Sequence, residues 1–315
     1  MIDFFSSAYS SIRSLNAFLG IRFFSLLRVL VRNSANLILP PYILLSNKFK
    51  ARKLGKPLQG TPQLIVSLTT YPARIGKVWI VIESIMRQTQ KPDRIILWLS
   101  KEQFTDDFII PTRLKDLQHR GLEIVFCEDD LRSHKKYYYV LKNYPDDLLL
   151  VIDDDVIYRS TLVSELLALH KEYPRAVCCD RTLHIETRDN EILPYKTWPE
   201  IKAGGVPSFE LFHTSGQGSL YPPGAFYNAV LDRDAFMKYC KNADDIWLNC
   251  MAQLNNTPIV KLRRYVIWLP ILYKINTTLH AGNLAGGQND TQLNDVRKYC
   301  MELFGRDPFG WAKKR

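Results

Sequence analysis

Short apolar runs separated by polar, turn-forming stretches pattern residues 64–179 of this 315-residue chain. The first run, 64–68 (Leu-Ile-Val-Ser-Leu), has the length and composition of a strand. The polar stretch 69–74 follows, and Pro72 within it demands an extended turn. Val78, Ile82, Ile85 and Met86 then fall at i, i+4, i+7 and i+8, one face of a helix that Lys91-Pro92-Asp93 closes off. The alternation repeats: a strand at 94–99, a polar stretch to Gly121, a strand at 122–126, and a helix from Lys135 to Leu141. After a turn at Tyr144-Pro145-Asp146-Asp147 come a strand at 148–152, a helix at 161–171 and a strand at 175–179. Strands alternating with helices predict an α/β fold with a mostly parallel central sheet, right-handed crossovers and helices on both faces.

Beyond residue 185 the pattern changes. Gly204-Gly205, Gly216-Gln217-Gly218 and Pro222-Pro223-Gly224 punctuate a region that reads as loops. A helix opens at Ala243-Asp244-Asp245 and runs to Gln253, 260–267 reads as one more strand, and 276–315 is a polar tail of weak periodicity. At the other end, Phe4, Phe5, Ile12, Leu15, Phe18, Leu19, Phe23, Leu26, Leu27, Leu30 and Val31 recur at near-helical spacing between Arg13, Arg22, Arg28 and Arg32. This predicts a basic amphipathic helical segment. It does not span a bilayer, because arginines interrupt it and 33–47, with Pro40-Pro41 inside, falls short of the roughly 20 residues required. Three readings stand: it lies in the headgroup region of an anionic membrane, it packs on its own domain or a partner subunit, or it is a cleaved signal. The expected organisation is a helical segment and linker at 1–60, a main domain at 61–295 and a tail at 296–315.

Composition narrows the function classes. A hydrophobic content of 46% in a chain of this length is ample for a large core. The net charge of +10 suits a phosphate-rich ligand or a membrane surface, including one met through residues 1–56. No helix-turn-helix, zinc-finger or aromatic-basic strand pattern accompanies it, so nucleic acid is not an expected partner. The six cysteines form no CxxC pair and read as reduced packing residues of a cytoplasmic protein, peripheral on the inner face of the membrane. Asn276-Thr277-Thr278 and Asn289-Asp290-Thr291 are chance matches to the glycosylation pattern.

The chemistry concentrates where the fourth strand ends. Five apolar residues at 148–152 lead directly into Asp153-Asp154-Asp155. Open α/β sheets bind ligands at the carboxyl ends of their strands, and three adjacent carboxylates repel one another unless a cation answers them. Hard oxygen ligands suit Mg²⁺ or Mn²⁺, and such an ion ordinarily holds phosphate. The competing reading is an acidic turn capping the next helix, but apolar Val156-Ile157-Tyr158 follows at once.

Taken with 66–74 (Val-Ser-Leu-Thr-Thr-Tyr-Pro-Ala-Arg), Lys135-Lys136-Tyr137, 218–223 (Gly-Ser-Leu-Tyr-Pro-Pro) and Ala243-Asp244-Asp245-Ile246-Trp247, this order resembles glycosyltransferases of the GT-A fold. The resemblance covers residues 63–295 and is closest to bacterial polysaccharide-assembly enzymes related to the family 2 transferases. It implies a metal-dependent transfer of a sugar from a nucleotide-diphosphate donor to a polysaccharide or lipid-linked glycan, as in capsule or O-antigen synthesis. On that resemblance Asp155 is a ligand of Mn²⁺ or Mg²⁺. Asp153 holds ribose or the metal through water, and Asp154 is intermediate. Thr70, Tyr71 and Arg74 belong to the loop that meets the nucleotide, and Lys135 or Lys136 reaches uracil or phosphate. Asp245, paired with Asp244, is the general base that takes the acceptor's proton, with inversion the favoured outcome. A helix cap explains the same acid pair without chemistry. His280 is a candidate third metal ligand, with Asn289-Asp290 comparable. The second strand ends Trp98-Leu99-Ser100, without the acid many relatives carry there, and Glu128-Asp129-Asp130 stands as its substitute. Gly216, Gly218 and Gly224 flank the place where donor and acceptor would meet, though turn geometry explains them equally well.

The alternative from another class is a haloacid dehalogenase-type phosphatase or phosphotransferase with Asp153 as nucleophile, since Asp153-Asp154-Asp155-Val156 fits its motif literally. Against it, three strand–helix units precede the motif. A nucleotidyltransferase lacks its glycine-rich loop after the first strand, and a non-catalytic scaffold leaves both acid clusters without a purpose.

Overall fold

A computed structural model describes residues 1–19, 22–49, 53–54, 62–189, 191–273 and 287–314. The strands in chain order are β1 Leu64–Thr69, β2 Arg94–Ser100, β3 Leu122–Cys127, β4 Leu148–Ile152, β5 Val156–Ile157, β6 Val177–Cys179 and β7 Thr182–His184. They continue as β8 Thr187–Arg188, β9 Glu191–Ile192, β10 Leu211–His213, β11 Gln217–Tyr221, β12 Ile259–Lys261 and β13 Leu269–Pro270. The helices are α1 Ile2–Leu19, α2 Arg22–Phe49, α3 Val78–Met86, α4 Thr112–Gln118, α5 Lys135–Asn143, α6 Leu162–Glu172, α7 Arg233–Tyr239, α8 Asp244–Leu254 and α9 Gln288–Phe304.

Two-residue alternation along the central strands builds two separate cores. Leu64, Val66 and Leu68 of β1, Ile95, Leu97 and Leu99 of β2, and Leu150 and Ile152 of β4 bury on one face of the sheet. Ile65, Ile96, Trp98, Leu149 and Val151 bury on the other. The first face is covered by α1, α2, α3, α4 and α6, the second by α5, α7, α8 and α9. The sheet runs β12-β6-β11-β4-β1-β2-β3. Every pairing is parallel except those of β11, which is antiparallel to both β4 and β6. The predicted α/β class, mostly parallel sheet and helices on both faces are therefore present.

The differences lie after residue 185. Gln217-Gly218 is no loop: directly after the turn residue Gly216 it begins the antiparallel strand at the middle of the sheet, with a register shift between Gln217 and Ser219 and Gly218 at φ +97°. A bulge with a glycine of positive φ looks like a turn in sequence. The predicted strand 260–267 ends at Lys261, and the following pairing, β13 with β5, starts at Leu269. The polar tail contains α9, whose Leu293, Val296, Tyr299 and Cys300 bury in the second core, so the helix runs through residue 295. All six cysteines are unpaired and buried.

The N-terminal helices pack on the main domain. Ile2, Phe5 and Tyr9 of α1 and Ala35, Leu39 and Ile43 of α2 join the first core. Helix α2 continues through Pro40 and Pro41. An interior proline costs about 3 kcal/mol; full burial of an aliphatic side chain such as Leu39 or Ile43 returns about 1.5–3 kcal/mol, the same order. Among the described residues no helix is long and apolar enough to cross a membrane.

Candidate active site

Strand β4 ends at Ile152, and the next three residues emerge at the carboxyl edge of the sheet. The Asp153 backbone N–H donates to Gly216 O at 2.6 Å and to the Tyr158 hydroxyl at 2.8 Å, while that hydroxyl donates to Gly216 O. The last rung between β4 and β11 thus fixes the first acid. A Cβ on Gly216 would fall 1.8 Å from the Asp153 carboxylate, so only glycine permits this approach.

The other two acids share one arginine. Arg74 Nη1 donates to Asp154 Oδ1 at 2.6 Å and to Asp155 Oδ2 at 2.9 Å. Its guanidinium lies 5.4 Å from the Tyr71 ring and 5.2 Å from the Tyr273 ring. Asp154 is buried and also accepts from Thr70 Oγ1 at 2.6 Å, and its carbonyl accepts from the Tyr273 hydroxyl at 2.9 Å. Burial raises its carboxyl above the ordinary range. Asp155 is partly open; its burial, then the charge of Asp153, push its carboxyl up to about 6.

Lys136 joins the triplet to the second acid pair. Its buried Nζ stands 3.0 Å from Asp153 Oδ1 and 3.1 Å from Asp244 Oδ2. Burial alone would lower this amine, but the charges of Asp153 and Asp244 hold it protonated. The start of α5 is anchored by Ser67, whose hydroxyl donates to Lys136 O at 2.5 Å and accepts from Trp98 Nε1 at 3.0 Å. Asp244 opens α8 and accepts from Ser215 Oγ at 2.6 Å. Burial opposes its charge, yet Lys136 holds the carboxyl down to about 2. Asp245 is the reverse case. The only hydrogen bond to its carboxylate among the described residues is from the Ile246 backbone N–H at 3.0 Å, and burial plus the neighbouring Asp244 charge push it up to about 7.

Thr70, Tyr71, Arg74, Lys136, Asp153, Asp154, Asp155 and Asp244 thus form one hydrogen-bonded and stacked cluster, with Asp245 next to it. Lys135 does not join it: its buried amine pairs with Asp130, which also accepts from Gln103 at 2.8 Å. Glu128 pairs with Lys101, and Asp129 with Arg233 at 2.8 Å. Asp290 accepts from the Tyr195 backbone N–H at 2.6 Å, which ties α9 to the 195 turn and not to the triplet. His280 lies outside the described residues. Tyr158, Ser215 and Tyr273 belong to the cluster and carry no signal in the sequence beyond Tyr158 following the acids.

Five carboxylates, Asp153, Asp154, Asp155, Asp244 and Asp245, face two contacting cations, Arg74 and Lys136, among the described residues. Asp153 and Asp155 are the open members, exposed at 37% and 34% of their side chains, and they repel each other. Excess negative charge opening to solvent fits a divalent cation. Among the described residues no three His, Cys, Asp or Glu side chains converge on one metal position. A cavity of about 330 Å³ elsewhere, lined by Ile192, Pro194, Lys196, Asp290, Leu293 and Arg297 among others, includes none of the five carboxylates.

No known family's model matches the sequence, and no curated protein matches it. Among solved structures, S. aureus TarS 1–349 in complex with UDP aligns with 65% of this chain and 59% of its own, at 13% identity and a TM-score of 0.44. The same fragment in complex with UDP-GlcNAc aligns with 65% and 57%, at 14% identity and a TM-score of 0.41. The mannosyltransferase PcManGT from Pyrobaculum calidifontis, in complex with GDP-Man and Mn²⁺, aligns with 90% and 78%, at 11% identity and a TM-score of 0.48. The chain therefore spans a little over half of the TarS 1–349 fragment. Likeness this loose assigns neither activity nor ligand.

Proposed function

We propose that this chain is a glycosyltransferase that moves a sugar from a nucleotide-diphosphate donor to a glycan or lipid-linked glycan in bacterial surface-polysaccharide synthesis. The observation that carries the reading is the pair of acid clusters, one at the end of a central strand and one at a helix start, joined by a single buried lysine. In this reading Asp153 and Asp155 hold Mn²⁺ or Mg²⁺, which when bound neutralises charge on the departing diphosphate. Arg74 is committed to Asp154 and Asp155, and the Thr70 hydroxyl to Asp154, so both shape the acid loop and leave the nucleotide to Tyr71 and the adjacent backbone. Lys136 presents fixed positive charge to the phosphates.

The assignment of the base follows from the contrast within the second pair. Asp244 is held ionised by Lys136 and Ser215, and so is a weak base. Asp245, raised to about 7 and without an ion-pair partner among the described residues, is matched to accept a proton near neutral pH. The acceptor hydroxyl gives its proton to the Asp245 carboxylate, its oxygen forms the new bond to the anomeric carbon, and the electron pair of the broken bond leaves on the diphosphate. Attack from the side opposite the leaving group inverts that carbon.

Release of nucleotide diphosphate from a panel of nucleotide sugars, with Mn²⁺ present, tests the reading. Asp155→Ala is expected to abolish turnover while the fold survives. Full activity in that variant would refute the metal role, and a phosphoryl group trapped covalently on Asp153 would replace this account with the phosphotransferase alternative.

A further inference from the structure

We infer that the outward face of α2 docks on an anionic lipid bilayer. The inner face of this helix is used up: Ala35, Leu39 and Ile43 are fully buried in the first core. The outer face carries Phe23, Leu26, Leu30, Leu37, Leu45 and Phe49, at intervals that return to one side of a 3.6-residue helix. These side chains stand open, with Phe23 63%, Leu37 77% and Phe49 84% exposed, and Phe23 touches only its neighbour Phe24 among the ring contacts of the described residues. The stripe runs about 39 Å along the helix at 1.5 Å per residue. Monomeric soluble proteins rarely leave so long an apolar row open to water.

Charge identifies what covers it. Residues 1–56 contain nine lysines and arginines and one acid, Asp3. Asp3 is itself occupied, accepting from the Ser160 backbone N–H at 2.8 Å and from Ser160 Oγ at 2.7 Å. From residue 4 to residue 82 there is no Asp or Glu at all. A second copy of the chain would bring a like-charged face against this one, which costs free energy with no acid to offset it. An anionic bilayer supplies both complements: acyl chains for the stripe, and phosphate headgroups for the cations beside it. The geometry suits a helix lying flat, because its opposite face is fastened to the domain. Asn36 Nδ2 donates to Pro270 O at 3.0 Å, and Asn36 Oδ1 accepts from the Leu272 N–H at 2.9 Å. The same short segment reaches the acid loop through Ile271 N–H to Asp155 O at 2.7 Å and the Tyr273 hydroxyl to Asp154 O. Residues 270–273 thus tie the helix that docks to the loop that carries the acids. It stands independently of the transferase reading.

Co-sedimentation of the full chain with two kinds of vesicle tests it: phosphatidylcholine alone, and phosphatidylcholine mixed with phosphatidylglycerol in equal parts. The chain is expected to sediment with the mixed vesicles, to be released by salt, and to leave the neutral ones largely unbound. The combined exchange Phe23→Ser, Leu30→Ser and Leu37→Ser should weaken binding by about tenfold or more while the circular dichroism spectrum is retained. In the single variant Leu37→Trp, which leaves the packing face untouched, vesicles should shift the indole emission to the blue. Equal sedimentation with both vesicle types, undiminished binding by the triple variant, or no emission shift would overturn the inference. So would a dimer in wild type that the triple variant dissolves while neither binds vesicles. Asp155→Ala should bind vesicles as wild type does, so loss of docking and loss of turnover are read separately.

Discussion

At residue scale, Gly216 and Asp245 make the sharpest demands. Gly216→Ala would drive a methyl into the Asp153 carboxylate, which sits 1.8 Å from the ideal Cβ position. The carboxylate or the rung between β4 and β11 must shift. The expected result is a large loss of turnover with a smaller loss of thermal stability, because the crowded group is at the open end of the strand; wild-type turnover in this variant would contradict the account of the site. Asp245, raised to about 7, is neutral below that pH and charged above it. Turnover should therefore climb as pH rises through about 7 and level off beyond, and Asp245→Asn should lower it by about 10²–10⁴-fold and remove that limb. The same raised value means that the native state holds a proton the unfolded state has released between about pH 4 and 7, so this group's contribution to stability declines across that window as pH rises.

At element scale, the contact between α2 and the 270–273 segment rests on Asn36. Asn36→Ala removes a donor and an acceptor from two backbone groups, and should cost about 1–3 kcal/mol. Hydrogen exchange would register it as faster exchange at Leu272, with β1 and β2 unchanged. Elements were legible in the sequence where their own periodicity formed them. The runs of β1, β2, β3 and β4 alternate or bury on both faces, and α3, α6 and α8 carry apolar positions at helical spacing. The two-residue strands β5 and β13 are created by pairing with each other across more than a hundred residues, so no local pattern announces them. The acid clusters were visible as compositions, but their wiring was not. Arg74 meets Asp154 from 80 residues away, and Tyr273 meets it from 119. Only the folded sheet brings those positions together, which is also why Lys135 and Lys136 were indistinguishable in sequence and opposite in role.

At the scale of the whole molecule, two buried histidines weigh against stability in acid. His134 lies fully buried, with Nε2 2.8 Å from Cys240 O and Nδ1 2.8 Å from the Tyr137 hydroxyl, and burial pushes it down to about 4. Burial pushes His213 down to about 3. Both stay neutral in the native state while the unfolded chain takes up protons below its ordinary histidine range near 6.5. These two rings therefore take stability away as pH drops from about 6.5 to about 4, against the gain that the raised carboxyls of Asp155 and Asp245 supply over much of the same window, and histidine proton shifts followed across that range should show both rings neutral down to about pH 4. A ring that titrates near 6.5 in the native state would show that it is not sequestered as described.

The strand that runs against its neighbours carries a consequence for how the chain is made. Strands β4 and β6 do not touch each other; both wait for β11, which is separated from β6 by nearly forty residues of hairpins and turns. During synthesis, a ribosome that has delivered the chain only as far as residue 216 has produced the four strands β4-β1-β2-β3 with a bare β4 edge, and a lone β6 whose other neighbour, β12, is still to come. Unpaired backbone of that kind recruits other chains. The keystone arrives late, and the interval before it does is when a cell has most need to keep nascent copies of this protein apart.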